Sequence, residues 1–394
     1  MSKTRTPMTW LPSLNFAKGM AYVVVTVISL LMFWQLGLSL WLTVFLVALC
    51  HLPWVLKCWW KPFVEKTLDW RRWVLITQLA LALAFVGMAR AFPSAGQLFA
   101  LLLLTAFLTA VHNVAADALS SHVEEQPRRR LTRELSRKFA FVVGQGVLVM
   151  VVGNLQVIFR NDVRLSWRLV FFLVAGLFLL LFLWHARWLP RLATRPSLGG
   201  GRLSKPVGLF LFFYAFAQGM QSKVVVLFLL TPLGSGGMGL SPQEFGLVMG
   251  NLGIIGLTVG GLLGTRAVRR FGLWSCRWPM ALAMLVPGAT YAMLSRFQPT
   301  GLGAVSFCVA CEQLAFGFGF AFYLSLLRQT SGRECGKSLM ALSLMLSGMC
   351  SGLLQEAVGY SVFFILTLSL SVLTPLSTLV LQRHCPDASG KRGD

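Results

Sequence analysis

"NFAKGMAYVVV" (residues 15–25) lies inside a long apolar run near the N-terminus, and two hundred residues later the chain reads "FAQGMQSKVVV" (residues 216–226). Phe16, Ala17, Gly19 and Met20 recur in register as Phe216, Ala217, Gly219 and Met220, and a valine run follows in both places. Each copy also carries a lysine, Lys18 or Lys223, a residue that is costly in hydrocarbon. An apolar segment that returns half a chain later points to one plan used twice.

The 394 residues are 56% hydrophobic and only 12% charged, with a mean hydropathy of +0.71. Soluble chains carry about twice that share of charge. A helix needs roughly 20 apolar residues to cross a bilayer core. Candidate spans 1 to 12 fall at 13–34, 40–57, 73–92, 98–118, 138–159, 168–189, 207–230, 242–263, 276–296, 301–327, 337–358 and 360–382. The expected fold class is an all-α polytopic membrane protein. The first dozen residues are polar and basic and a full-length span follows, so span 1 is expected to serve as its own insertion signal.

The net charge of +22 raises the question of nucleic acid, and its placement argues against that partner. Most of the basic residues sit at the termini and in alternate loops: Lys57, Lys61, Lys66, Arg71 and Arg72, then Arg128 to Arg130, Arg133, Arg137 and Lys138, then Arg266, Arg269, Arg270 and Arg277. The opposite loops hold Arg90, Arg160, Arg164, Arg168 and Arg296. This asymmetry is the positive-inside pattern, and it places both termini in the cytoplasm. The excess basic charge also suits anionic lipid heads. Cys308 and Cys311 form a C-x-x-C, but no histidine stands near to complete a metal site, so they read as small packing residues. No cofactor is expected.

The spans divide six and six around "RWLPRLATRPSLGGGRLSKP" (187–206), whose Pro, Gly and Arg content marks a linker. The expected domains are 1–189, a linker at 190–206, 207–382, and a tail at 383–394. Two parallel six-helix halves resemble the major facilitator superfamily. The short basic turns "KPFVEKTLDWRRW" (61–73) and "GGLLGTRAVRRFG" (260–272) resemble that superfamily's signature loop, in which an acid and basic residues latch helix ends. By this resemblance Glu65, Arg71, Arg72, Asp117, Arg133, Arg269 and Arg270 form a cytoplasmic latch. In the second copy Thr265 stands at the acidic place.

Within the superfamily, "LPSLNFAKGMAYVVV" (11–25), "LPWVLKCWWKPFVE" (52–65) and "AADALS" (115–120) resemble the muropeptide permease (AmpG-type) and acetyl-CoA transporter branch over residues 11–146. Ala21 stands where that branch usually has proline, and Lys18 where a small or acidic residue is commoner. The resemblance implies transport of carboxylate- or phosphate-bearing solutes: muropeptides, coenzyme-A esters or siderophores.

Polar residues within the spans concentrate on spans 1, 4, 7 and 10, which line the central cavity in facilitator folds. Asn15, Lys18, Tyr22 and Ser29 recur at helical spacing. So do Thr105, Thr109, His112 and Asn113, and so do Tyr214, Gln218, Gln221 and Ser222. Such stripes point either to a polar ligand or to hydrogen bonds between helices. The expected cavity residues are Lys18, Tyr22, His112, Asn113, Tyr214, Gln218, Gln221 and Lys223. Lys223 lies off its stripe and is either at a break in span 7 or structural. Lys18 suggests an anionic solute. Asp117, at a span end, is expected to pair with Arg133 or Arg137. Glu312, deep in span 10, is either a proton-coupling carboxyl or a protonated acid bonded to a neighbouring helix. Gly256, Gly260 and Gly264, at four-residue steps, read as a helix-packing face.

The sequence therefore predicts a secondary transporter of the bacterial inner membrane, acting as a monomer on a small organic solute and driven by the proton gradient. No nucleotide-binding motif is present to supply another energy source. The alternatives are a membrane sensor that keeps the fold without transport, and an intramembrane enzyme, for which no H-E-x-x-H or serine–histidine arrangement is apparent.

Overall fold

The computed structural model describes residues 9–124, 130–190, 203–330 and 332–384. Side chains at 121–124, 130–139, 141 and 382–384 lie outside that description, as do most of the 190–206 linker and of the tail. Every span expected from hydropathy falls on a helix. α1 is Leu11–Gln35, and α2 is the bent pair Leu40–Val55 and Lys57–Thr67, which meet at 51°. Then come α3 Trp70–Ala91, α4 Ala95–Glu124, α5 Arg130–Ile158, α6 Val163–Trp188, α7 Lys205–Leu230, α8 Pro242–Phe271, α9 Arg277–Phe297 and α10 Leu302–Gln329. The run Arg333–Leu381 is divided by Gly359, at φ 74° and ψ 169°, into α11 (333–358) and α12 (360–381). This is the all-α polytopic membrane fold.

Local sequence sets the helix starts. α1 and α7, the two repeat copies, each carry a proline in the first turn, at Pro12 and Pro206, where a missing N–H costs nothing. α8 opens on a capping box: Ser241 accepts the Glu244 N–H at 3.2 Å, and the Glu244 carboxylate takes the Ser241 N–H at 2.8 Å. α6 begins at Asp162, which accepts the Leu165 N–H at 2.8 Å. α1 widens into a π-turn over Val24–Ile28, and α8 does so over Gly246–Gly253.

Two compact units emerge, and their limits differ from the expected domains. The first comprises residues 1–38, 56–198 and 241–250; the second comprises 39–55, 199–240 and 251–394. Ser39–Val55 thus belongs with the second unit and Ser241–Gly250 with the first. The backbone contacts explain why. In the second unit Gly352 of α11 sits so close to Trp41 of α2 that an added Cβ would stand 2.6 Å from the Trp41 Cα. In the first unit Gly153 of α5 faces the Pro242 carbonyl of α8.

In the first unit α3 packs on α4 and α6, and α1 packs on α5. In the second, α7 packs on α11, and α8 on α10. With no hydrophobic drive between helices in lipid, close backbone approach supplies much of the attraction. The glycine face of α8 meets that need: Gly256, Gly260 and Gly264 lie on the Ala310, Leu314 and Phe318 carbonyls of α10, and Gly317 of α10 lies on the Leu257 carbonyl in return. Ser343 of α11 donates to the Phe212 carbonyl of α7 at 2.7 Å.

Candidate functional site

The expected polar stripes divide into residues that spend their hydrogen bonds inside their own helix and residues that do not. Asn15 donates to the Leu11 carbonyl at 2.8 Å, Ser29 to Val25 at 2.7 Å, Thr105 to Leu101 at 2.8 Å and Thr109 to Thr105 at 2.7 Å. Each bonds the carbonyl four residues back, so these groups need no outside ligand. What remains on α1 and α4 is Lys18, Tyr22, His112, Asn113 and Asp117.

Lys18 is not a free cation. Its ammonium is ion-paired with the Asp117 carboxylate of α4. Lys18 is 12% exposed at the side chain and Asp117 47%, so the pair opens on the acid side. Asp117 therefore links α4 to α1, and its expected partners in the basic loop, Arg133 and Arg137, have side chains outside the described residues. Tyr22 and Asn113 are half-buried, and the buried Asn113 Oδ1 has no hydrogen-bond partner among the described residues.

His112 belongs to a buried chain of polar groups drawn from four helices. Its Nε2 lies 3.3 Å from Nε2 of Gln78 on α3. Gln78 in turn reaches Nδ1 of His185 on α6, at 2.8 Å through Nε2 and 3.1 Å through Oε1. His185 Nε2 stands 3.0 Å from the Ser13 hydroxyl of α1. Gln78, His112 and His185 are fully buried. Sequence periodicity misses Gln78, His185 and Ser13, since none of them falls on one of the polar stripes. The available signal was the cost of any buried polar group without a partner, which makes partners across helices a requirement.

In the second unit Tyr214, expected on a cavity wall, packs in a hydrophobic cluster. Its ring packs among Phe210, Phe322 and Tyr323, and its hydroxyl donates to the Gly319 carbonyl at 2.7 Å. Gln221 donates to Gln218 Oε1 at 2.8 Å, leaving its own buried Oε1 without a partner among the described residues. Lys223 is buried. Its ammonium donates to the Leu344 carbonyl of α11 at 3.2 Å and abuts Gly348. Glu312 is 1% exposed. Its Oε2 accepts from the Tyr291 hydroxyl of α9 at 3.2 Å and from the Gln313 amide at 2.9 Å.

Among the residues expected to form a latch, some pair within one helical turn and others reach another helix. Glu65 pairs with Lys61 one turn back at 3.4 Å, and Arg72 with Asp69 at 3.2 Å. Arg71 donates to the Ala186 carbonyl near the end of α6, where a cation suits the helix dipole. Arg269 and Arg270 occupy the last turn of α8, with the Arg270 guanidinium 5.4 Å from the Phe271 ring centre. The Arg133 side chain lies outside the described residues.

No family model matches the chain. An uncharacterized protein of Haemophilus influenzae is 22% identical over 363 residues, which is 82% of each chain. Among solved structures, a point mutant of the nucleoside transporter NupG matches with a TM-score of 0.68 at 14% identity, covering 94% of this chain and 98% of that one. A second NupG structure matches with a TM-score of 0.63 over the same shares. The chain thus shares the all-α polytopic membrane fold of the NupG structures.

Proposed function

We propose that this chain is a secondary transporter of the facilitator type that moves a small, polar, uncharged organic solute of nucleoside size. The fold supports transport, and one observation carries the choice of solute: the Lys18 ammonium is already neutralised by Asp117. An anionic solute was expected because Lys18 stood alone on a polar stripe, and the ion pair removes that basis. The uncharged amides on the stripes are Asn113 in the first unit and Gln218 and Gln221 in the second. These are suited to hydrogen-bonding a neutral solute. NupG, the matched fold, is a nucleoside transporter, which agrees with this reading. A muropeptide-type solute retains the sequence resemblance over residues 11–146.

The loop charge asymmetry supports an inner-membrane location with both termini in the cytoplasm. Glu312, a buried carboxyl on α10, is the residue through which the proton gradient would drive uptake, and the carrier is read as a monomer. The test is uptake by proteoliposomes of the purified protein, with radiolabelled nucleosides in one arm and an anhydromuropeptide in the other. Saturable nucleoside uptake supports the reading; saturable muropeptide uptake alone overturns the solute, and neither flux overturns transport of both. Orientation is read separately in whole cells. A cysteine at Ser235 should react with an impermeant reagent, and one at Thr67 should not.

A further inference from the structure

The transport reading leaves the Gln78–His185–His112 chain unused, and its hydrogen-bond directions can be worked out. The Ser13 hydroxyl donates to the Trp10 carbonyl at 3.0 Å, so toward His185 it offers only a lone pair. His185 Nε2, 3.0 Å away, must therefore carry a hydrogen. In the neutral ring Nδ1 is then bare and accepts one Gln78 amide hydrogen at 2.8 Å. The other amide hydrogen points to His112 Nε2 at 3.3 Å. One amide group thus donates to two imidazoles.

The same Nδ1 lies 3.1 Å from the Gln78 carbonyl oxygen. The amide meets the ring with both its donor and its acceptor in reach. We propose that Gln78, His185 and His112 form a proton-binding site in the first unit, in which one proton is taken up on His185 Nδ1 and held by the Gln78 carbonyl. The step is a simple transfer: a hydronium ion gives its proton to the Nδ1 lone pair and leaves as water. The Gln78 N–H that had occupied that lone pair is released, while the other stays on His112. Ser13 holds the opposite ring nitrogen in both states.

Fixed charge around the site is sparse and mixed, which suits a site that must be able to exist in either state. α1 contributes Lys18 and α4 contributes Asp117, already paired to each other. α3 contributes Arg71, bonded to the Ala186 carbonyl next to His185, and α6 contributes Arg187, whose guanidinium lies 5.3 Å from the Trp188 ring centre. The charged side chains at the start of α5 lie outside the described residues. None of the described contacts occupies His185 Nδ1 except Gln78.

What the proton is used for rests on the transport reading, so the test is made on the protein itself. The full-length chain is labelled with ¹⁵N-histidine in lipid nanodiscs, and its five histidines are followed by NMR from about pH 3 to about pH 8, a window that reaches well below the ordinary imidazole midpoint. His185→Gln and His112→Gln assign the signals. The expected result is that the His185 pair of signals moves from the neutral pattern, Nε2 protonated, to the imidazolium pattern. Gln78→Leu should displace its midpoint by about one pH unit or more. Gln78→Glu, of nearly equal size, repeats that test if the leucine variant fails to fold. If His185 keeps the neutral pattern throughout, or both Gln78 variants leave its midpoint unmoved, the site does not bind a proton as described. Both results are readable even if no solute is transported.

Discussion

The Lys18 ammonium of α1 and the Asp117 carboxylate of α4 form an ion pair within the first unit, ninety-nine residues apart in the chain. Its asymmetric exposure places it between a surface pair, worth under about 1 kcal/mol, and a buried one, whose breaking costs about 3–5 kcal/mol. A double-mutant cycle of Lys18→Ala and Asp117→Ala should therefore give a coupling energy of about 1–2 kcal/mol. The measurement is thermal unfolding in detergent, with the double variant losing less stability than the two single variants' losses added together. Additivity would mean the pair contributes nothing.

Glu312→Gln removes the titratable proton while keeping the size of the side chain and an oxygen to accept from Tyr291. Accumulation of solute driven by an imposed pH gradient should be lost, and counterflow, which moves no net proton, should persist. A variant that still concentrates solute against its gradient would exclude Glu312 as the coupling site. Tyr291→Phe, which takes away one donor, should shift the pH profile of uptake without abolishing it.

Lys223 places a long stem and one ammonium against the Leu344 carbonyl, deep in the second unit. An apolar side chain of similar length can replace a buried charge at little or no cost. Lys223→Met should therefore leave the unfolding midpoint within about 2 °C of the parent, under about 1 kcal/mol. Counterflow should also be retained. Loss of counterflow in a folded variant would return Lys223 to the solute path.

Gly260 has no room for a methyl group, because an added Cβ would collide with the Leu314 carbonyl of α10. Gly261, its neighbour, has only the Gly317 oxygen nearby, at 3.9 Å. Gly260→Ala should cost about 1–3 kcal/mol or more by overpacking, and Gly261→Ala should be close to neutral. Unfolding midpoints of the two variants, measured side by side, decide the matter.

Tyr214→Phe removes one hydrogen bond, to Gly319, from an otherwise apolar cluster. The expected loss is about 1 kcal/mol of stability, with KM for the solute unchanged. A raised KM at unchanged stability would put the hydroxyl back among solute contacts.

The helices were legible in the sequence because a bilayer imposes a length and an apolar composition on every span. The glycine ladder Gly256, Gly260 and Gly264 was legible because small residues at four-residue steps have few uses other than close packing. Periodicity could not say which helix each face meets. It grouped Tyr214 with Gln218 on angle alone, although one packs in a core and the other holds an amide. It marked Lys18 correctly as unusual, but the partner, Asp117, is set by the packing of α1 beside α4. Gln78 and His185 have no stripe to announce them, and their meaning lies wholly in each other. Likewise, hydropathy gives Ser39–Val55 as a span without indicating that it joins the second unit.

That last feature bears on how the chain is made. The Trp41 backbone N–H is held by the Glu356 carboxylate at 3.0 Å, 315 positions further along the chain. At about 5–20 residues per second of synthesis, Trp41 leaves the ribosome roughly 15–60 seconds before Glu356 exists. Through that interval the newly inserted α2 lacks the neighbour it packs on at the end. The second unit is therefore a late product of translation that recruits a helix from among the earliest made. A chain stalled or cleaved before α11 would leave that helix waiting in the bilayer, a natural substrate for membrane quality control.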